Sequence, residues 1–282
     1  GVRVNEVDGG DTNYPLISVN DIESIQIERG SASPIYGSGA FGGVVNITTR
    51  RPSEKLFSAF GGVELSSFLG IRFNQGVSGS IPDRLTPLAG KLFYHFNGGR
   101  DLNDGFRDNG EWRITSFDIK TGYELPNEEG KVHVGVKHVE NALSIPGALT
   151  LAEFEQNPEQ TKTPLAGRDF KNTIVQISAD KKWWDDKIIT SILADWRLTT
   201  LHFFTTSRTF ADIFQPQFNP DTDRLAVKSH QRDLVWQAAY EDAWGWLGSK
   251  SEVGMEFNRA VQTDLEQDFF NGTLITSTPT EE

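Results

Sequence analysis

From about residue 56 onward, apolar and polar side chains alternate with a period of two. Val132, Val134 and Val136 alternate with His133, Gly135 and Lys137. Phe117, Ile119 and Tyr123 alternate with Asp118, Lys120 and Glu124. Ile192, Ala194, Trp196 and Leu198 alternate with Ser191, Asp195, Arg197 and Thr199. The pattern returns at Leu234, Trp236 and Tyr240, and again at Val253, Met255 and Phe257. Successive side chains of a strand point to opposite faces, so each segment has one apolar and one charged face. The alternation predicts strands at roughly 56–66, 70–80, 90–101, 112–125, 130–141, 171–184, 186–204, 230–243 and 249–263, with a tenth beginning near 267. Most exceed the five or six residues usual in soluble sheets and suit a strand tilted across a bilayer.

The connections sharpen this reading. Short turns are expected around 126–130, 185–186 and 245–249, and longer segments at 101–111, 141–170 and 204–229. Alternating short turns and long loops is the arrangement of a transmembrane barrel, and a soluble sandwich has no reason to adopt it. Tyr123, Trp183, Trp184, Trp244 and Trp246 lie close to the short turns. They read as an interfacial girdle, the alternative being filler of a sandwich core.

The first fifty or so residues are different, rich in Gly, Asn, Asp and Ser. Two short strands are expected there, over 22–29 with Ile25 and Ile27, and over 43–49 with Val44, Val45 and Ile47. Between them a turn or short helix over 30–37 is bounded by glycines, and Pro52 closes the segment.

Composition narrows the class. The 282 residues carry a net charge of −12, which argues against nucleic acid as a partner. Cysteine is absent, which removes disulfides and thiol chemistry. No apolar run reaches the length of a transmembrane helix. With seven Trp and 27 Gly, the composition fits a membrane β-barrel and a soluble β-sandwich equally. The start at Gly1 and the end at Glu282 are expected to be boundaries within a longer protein.

The run IESIQIERGSASPIYGSGAFGGVVNITTRRP over 22–52 resembles the end of the plug domain of TonB-dependent outer-membrane receptors. There the pattern is an I-E-x-I-x-I-x-R-G strand end, a Y-G turn, then G-G-V-[VI]-N-I and a linker into the barrel. The preceding Asp8-Gly-Gly-Asp11 and Leu16-Ile17 are similar to the stretch before this motif. The resemblance implies a mostly β chain. It has the end of a small α+β plug domain over 1–52, followed over 53–282 by nine or ten of about 22 antiparallel strands of a transmembrane β-barrel. It also implies that odd-numbered connections counted from Leu56 are extracellular, the parity on which the long segments fall.

The same resemblance implies the function. The protein is expected to be a receptor in the outer membrane of a Gram-negative bacterium. It would take up a scarce nutrient, an iron–siderophore complex first, with cobalamin, haem or a glycan as alternatives. Its partners would be that metal chelate or other bulky ligand, outer-membrane lipid, and a TonB-type energy-coupling complex acting through a TonB box not present in this chain. A passive porin-like barrel is the rival without energy coupling, and a soluble carbohydrate-active sandwich enzyme the rival from another class. No bond chemistry and no cofactor are expected.

The residues agree with a non-catalytic role. The five His, His95, His133, His138, His202 and His230, show no metal-ligand spacing, and no metal site is expected. His133 and His95 are expected to line the lumen. Ser31 and Ser33 form no nucleophile elbow. Within the motif, Glu28, Arg29, Gly30, Tyr36, Gly37, Gly42, Gly43 and Asn46 are structural. The glycines allow left-handed turns and close backbone approach. Arg29 either seats the plug against acidic wall groups or is a solvated turn charge. Ligand contact is expected at the plug apex, through Asn5, Asp8, Asp11, Asn13 and Tyr14. The polar loop residues Asp101, Asn103, Asp104, Arg107, Asp108 and Asn109, and aromatics such as Phe203 and Phe210, offer further surface.

Overall fold

A computed structural model describes residues 17, 21–30, 42–86, 89–207, 221–244, 247–270 and 273–281. Two sheets account for nearly all of them. Strands β1 (Ile22–Arg29) and β2 (Gly43–Thr49) form an antiparallel pair, with Arg29 opposite Gly43 and Ile25 opposite Ile47. Gly43 has φ +142°, and a side chain there would run into the carbonyl oxygen of Glu28. Glycine is therefore required where the returning strand meets its partner.

The second sheet has ten strands. They are β3 (Ser58–Ser66), β4 (Gly70–Ile81), β5 (Lys91–Asn103), β6 (Trp112–Glu124) and β7 (Gly130–Ser144). Then follow β8 (Gly167–Trp183), β9 (Ile188–Ser207), β10 (Asp221–Trp244), β11 (Leu247–Phe270) and β12 (Thr273–Glu281). Each pairs antiparallel with its sequence neighbours, in the order β12 to β3, and the two end strands do not meet. A short helix, α1 (Leu151–Gln156), lies between β7 and β8.

The first nine expected wall strands are present, several running further than the alternation shows, while the tenth begins at Thr273 and not near 267, because β11 extends to Phe270. β10 starts at Asp221 and not near 230, and β11 continues to Phe270. Their outer ends, such as Asp221-Thr-Asp-Arg, lack an apolar face. The backbone ladder continues there although the side chains carry no binary pattern. The connections follow the expected alternation at 104–111, 125–129, 145–166 and 184–187 and depart from it at the start of the sheet. The first connection, 67–69, is tight, and the second, 82–90, is longer. Phe68 and Leu69 turn with left-handed φ of 60° and 53°. Asn103 Nδ2 donates to Ser67 O at 3.1 Å, and Asp104 N donates to Phe68 O at 3.0 Å. These bonds satisfy a turn that sequence composition does not advertise.

Directly opposed residues share a face, so the register sorts the sheet into two surfaces. One carries Ser78, His95, Asn97, Asp118, Asn172, Asp195, Arg197, Thr199, Ser229, Gln231 and Asp233, all buried. The other carries Val63, Phe96, Ile119, Val134, Ile177, Trp196, Leu234, Met255 and Phe257, all exposed. This inverts the arrangement of a water-soluble protein. The buried apolar side chains of the strands, Val139, Phe170 and Ile174, lie on the polar face, with Ile114, Leu201 and Ile17 packed against Val139 and Phe170. The polar face is therefore the inner one, since Ile17 and Asp21 of the N-terminal segment sit against it.

Candidate functional site

The N-terminal segment meets the inner wall at two places four residues apart. Ile17 packs on the Val139–Phe170 patch of β7 and β8. Asp21, just before β1, is 1% exposed and lies among charged groups of β5, β6 and β7. Lys120 Nζ donates to Asp21 Oδ2 at 3.1 Å and to Thr49 Oγ1 at 2.9 Å, so one ammonium ties both edges of the β1–β2 pair to the wall. Lys137 Nζ lies 4.0 Å from Asp21 and 3.1 Å from Asp118. His95 Nε2 lies 3.3 Å from Asp21 Oδ1, and its ring stacks on Phe60 at 6.0 Å. Arg50 N donates to Asp21 O at 2.7 Å, which fixes the backbone as well.

Burial alone would push the Asp21 carboxyl up. The His95 contact and the charges of Lys120 and Lys137 outweigh it and hold Asp21 below the usual carboxylate range. Alternation explains why the wall groups converge. Lys137 stands directly opposite Asp118, and Lys120 directly opposite His95, all with inward parity. Asp21, His95 and Asp118 bring their ligand atoms within 4.8 Å of one another, a spacing that suits a cation. Two lysine ammonium groups already serve both carboxylates, so a metal ion would have to displace them.

The loops at the far rim are held together by side chains. Arg107 donates to the carbonyls of Gly147, Pro146 and Gln160 at 2.6, 3.1 and 2.8 Å. Asn109 Nδ2 lies within 3.1 Å of the carbonyl oxygens of Ile145, Thr163 and Ala166. Connections 104–111 and 145–166 thus form one unit. Thr150 caps α1 in a reciprocal capping box with Glu153. Glu153 also pairs with Lys162, and that bond, followed by those to Thr150, holds its pKa at about 2. A cleft of about 270 Å³ opens beside this unit, lined among others by Asn109, Arg113, Leu165, Arg168 and Asp169.

The sequence-derived candidates fall in three groups. Asn5, Asp8, Asp11, Asn13, Tyr14, Tyr36, Gly37 and Phe210 lie outside the described residues. Glu28, Arg29 and Gly30 are exposed at the end of β1, where Gly30 N donates to Gly42 O at 3.4 Å. Asn46 Nδ2 donates to Gln26 Oε1 across the pair at 3.4 Å. Among the described residues Arg29 makes no ion pair with the wall. The polar loop residues are occupied locally: Asp101 binds Arg72 at 2.8 Å, and Asn103 is buried. His95 and His133 both face inward, His133 against the Phe93 ring at 4.7 Å. Asp21 went unnoticed in the sequence. Its signal was an acid directly before an alternating strand, and only its three-dimensional neighbours make it distinctive.

Residues 1–44 match the TonB-dependent Receptor Plug Domain family. The N-terminal part of the chain is therefore similar to the plug domain of TonB-dependent receptors. Over 82 residues, 27% of this chain and 11% of the relative, it is 39% identical to the ferric enterobactin receptor PirA of Pseudomonas aeruginosa. It is 31% identical over 162 residues to a second ferric enterobactin receptor of that organism, covering 56% of this chain and 19% of the relative. Its fold matches the unliganded ferric citrate transporter FecA with a TM-score of 0.73, at 15% identity, over 94% of this chain and 38% of that one. The chain therefore spans well under half the length of these relatives. The matched residues include β1 and the start of β2, and β3 to β12 match strands of TonB-dependent receptor barrels.

Proposed function

We propose that this chain is part of an outer-membrane receptor for energy-coupled uptake of a ferric siderophore in a Gram-negative bacterium. The observation that carries the reading is the inverted wall: buried polar groups face the plug while large apolar side chains are exposed on the opposite face. Such a surface is stable against lipid and unstable in water. The relatives named for ferric enterobactin and ferric citrate support iron as the cargo.

On this reading residues 1–52 are plug and 53–282 barrel wall. Ligand binds at the plug apex, through Asn5, Asp8, Asp11, Asn13 and Tyr14, together with the long loops. A TonB-type complex then pulls on a segment N-terminal to these residues. For the plug to shift, Asp21 must leave Lys120 and Lys137, and Ile17 must leave Val139 and Phe170. The contact is a small set of charge-assisted bonds and one apolar knob, which holds the closed state yet yields to directed force. The protein breaks no covalent bond of its cargo.

The test is uptake by a deletion strain supplied separately with ferric enterobactin, ferric citrate or haem carrying radiolabelled iron, or with cobalamin carrying radiolabelled cobalt. Loss of one ferric-siderophore arm, restored by the full-length gene, is the expected result. Normal uptake in every ferric arm with loss of cobalamin or haem uptake would overturn the cargo assignment.

A further inference from the structure

The inner face of the wall has two sectors that use their polar groups differently. Register arranges the inward side chains in rows that run across the strands. Counted from the short-turn side, two such rows on β5 to β7 are His95–Lys120–Gly135 and Asn97–Asp118–Lys137. Their ionic groups hold the N-terminal segment through Asp21 and Thr49. The first row continues onto β8 to β11 as Gln176–Asp195–Asp233–Asn258. The second places Arg197 opposite Gln231. A third row, which passes through Ser116 and Val139, continues as Asn172–Thr199–Ser229–Gln262. Rows step by two residues at roughly 3.3 Å each, so the β8 to β11 patch runs about 13 Å along the strands.

In this second sector the polar side chains bind one another. Asn172 Nδ2 donates to Thr199 Oγ1 at 2.7 Å, Arg197 Nη1 to Gln231 Oε1 at 3.4 Å, and Gln231 Nε2 to Asp233 Oδ2 at 3.0 Å. Asn172 is 2% exposed and Asp195 6% exposed, yet among the described residues nothing donates a hydrogen bond to Oδ1 of either. A bare buried acceptor is destabilising, and so are two like charges directly opposed on one face, as Asp195 and Asp233 are. A wall that only seats a plug gains nothing from either feature. A wall that a hydrated solute must pass does, because each row offers replacement hydrogen bonds for lost water. Asp195, Asp233 and Arg197 sum to one negative charge, so an anionic chelate is not held fast. Passage needs contacts good enough to admit a solute and weak enough to release it.

We propose that the inner face of β8 to β11, centred on Asn172, Asp195, Thr199 and Gln231, is a transit site for a chelate that exposes hydroxyl and carbonyl oxygens. The cargo reaches it once the plug has moved, and passes from the Asn172 row to the Asp195 row. The β5 to β7 sector, which faces the β1–β2 pair, lies off this path. The inference rests on the uptake reading above.

The test uses the full-length receptor, with no other cysteine, in intact cells of the deletion strain. Gln231→Cys and Thr199→Cys probe the path, and Ser116→Cys probes the β5 to β7 sector. A small membrane-impermeant maleimide is added with ferric enterobactin or ferric citrate, with and without an uncoupler of the proton gradient. Both path cysteines should react about tenfold faster during energised uptake, a rise that the uncoupler abolishes and Ser116→Cys does not show. After modification of the path cysteines with a bulky maleimide, import of the radiolabelled chelate should fall about tenfold or more, without a matching fall in chelate bound at the cell surface. An equal rise at Ser116→Cys, no rise at the path cysteines, or unchanged import after their modification would overturn the proposal. Fast electrophoretic migration of the unheated variants establishes that their barrels are folded, and either path cysteine alone decides the result. Failure of the unmodified receptor to import either chelate would instead count against the ferric-siderophore reading itself.

Discussion

The two faces of the ten-stranded wall are built by the same strands and obey opposite rules. Inward, Asp118 and His95 are buried and Lys137 is half-buried, and charge is met by charge across the strands and from the plug. Outward, Ile177, Met255 and Phe257 are exposed with no protein against them. The lesson is that burial alone does not define the core of this molecule. What each face meets, a polar plug or lipid, decides which side chains it can carry.

Substitutions that exchange the rules should be the most costly. Ile177→Arg puts a charge on the outward band and should cost about 2–4 kcal/mol in urea unfolding from lipid vesicles. Ser178→Arg, the next residue and inward-facing, should cost under about 1 kcal/mol. Equal costs would erase the difference between the faces. Asp21→Leu sharpens the inner side. Lys120 and Lys137 remain 24% and 21% exposed, so the cost is below that of a fully buried pair, about 1–3 kcal/mol. It should appear as faster hydrogen exchange of β1 and β2, while exchange in β5 to β8 stays unchanged.

Smaller effects belong to the rim. Arg107→Ala removes the bonds joining two loops and should cost about 1–2 kcal/mol, read as faster proteolysis within 145–166. Thr150→Ala removes the cap of α1 and should cost about 1 kcal/mol locally, read by exchange of the Glu153 amide. Acid has the narrowest reach. Asp21 has its folded pKa depressed below its ordinary 3.8, so its contribution is complete above that value and fades as pH falls through the folded one. Exchange of β1 and β2, corrected for intrinsic rate, should be flat from neutral pH to about 4 and rise below it. In Asp21→Leu the rise should vanish.

The fold was largely legible because period-two alternation is a direct signature of a face in lipid and a face in water. It marks Val132 to Val136 and Ile192 to Leu198 without ambiguity. It fails where the sequence carries no apolar stripe, as at 221–224, so β10 and β11 run longer than their alternation. The tight 67–69 turn was legible only as the gap between two alternating segments, because it uses Phe68 and Leu69 in place of glycine, supported by the distant Asn103. The motif over 22–52 located the plug hairpin but not its attachment. Asp21 acquires its role from Lys120, Lys137 and His95, which are dispersed in sequence and brought together by register. The row joining Asp195 to Asp233 was equally silent, since it exists only once β9 and β10 are paired.

The central claim is that alternate residues of one strand face lipid and a plugged lumen. With no cysteine in the chain, single Val134→Cys and Gly135→Cys variants can each carry a spin label in the reconstituted full-length receptor. The account expects the label at 134 to be accessible to oxygen dissolved in the bilayer and shielded from a water-soluble nickel chelate, with the label at 135 shielded from oxygen. Equal oxygen accessibility at both positions, or nickel access at 134, would contradict it.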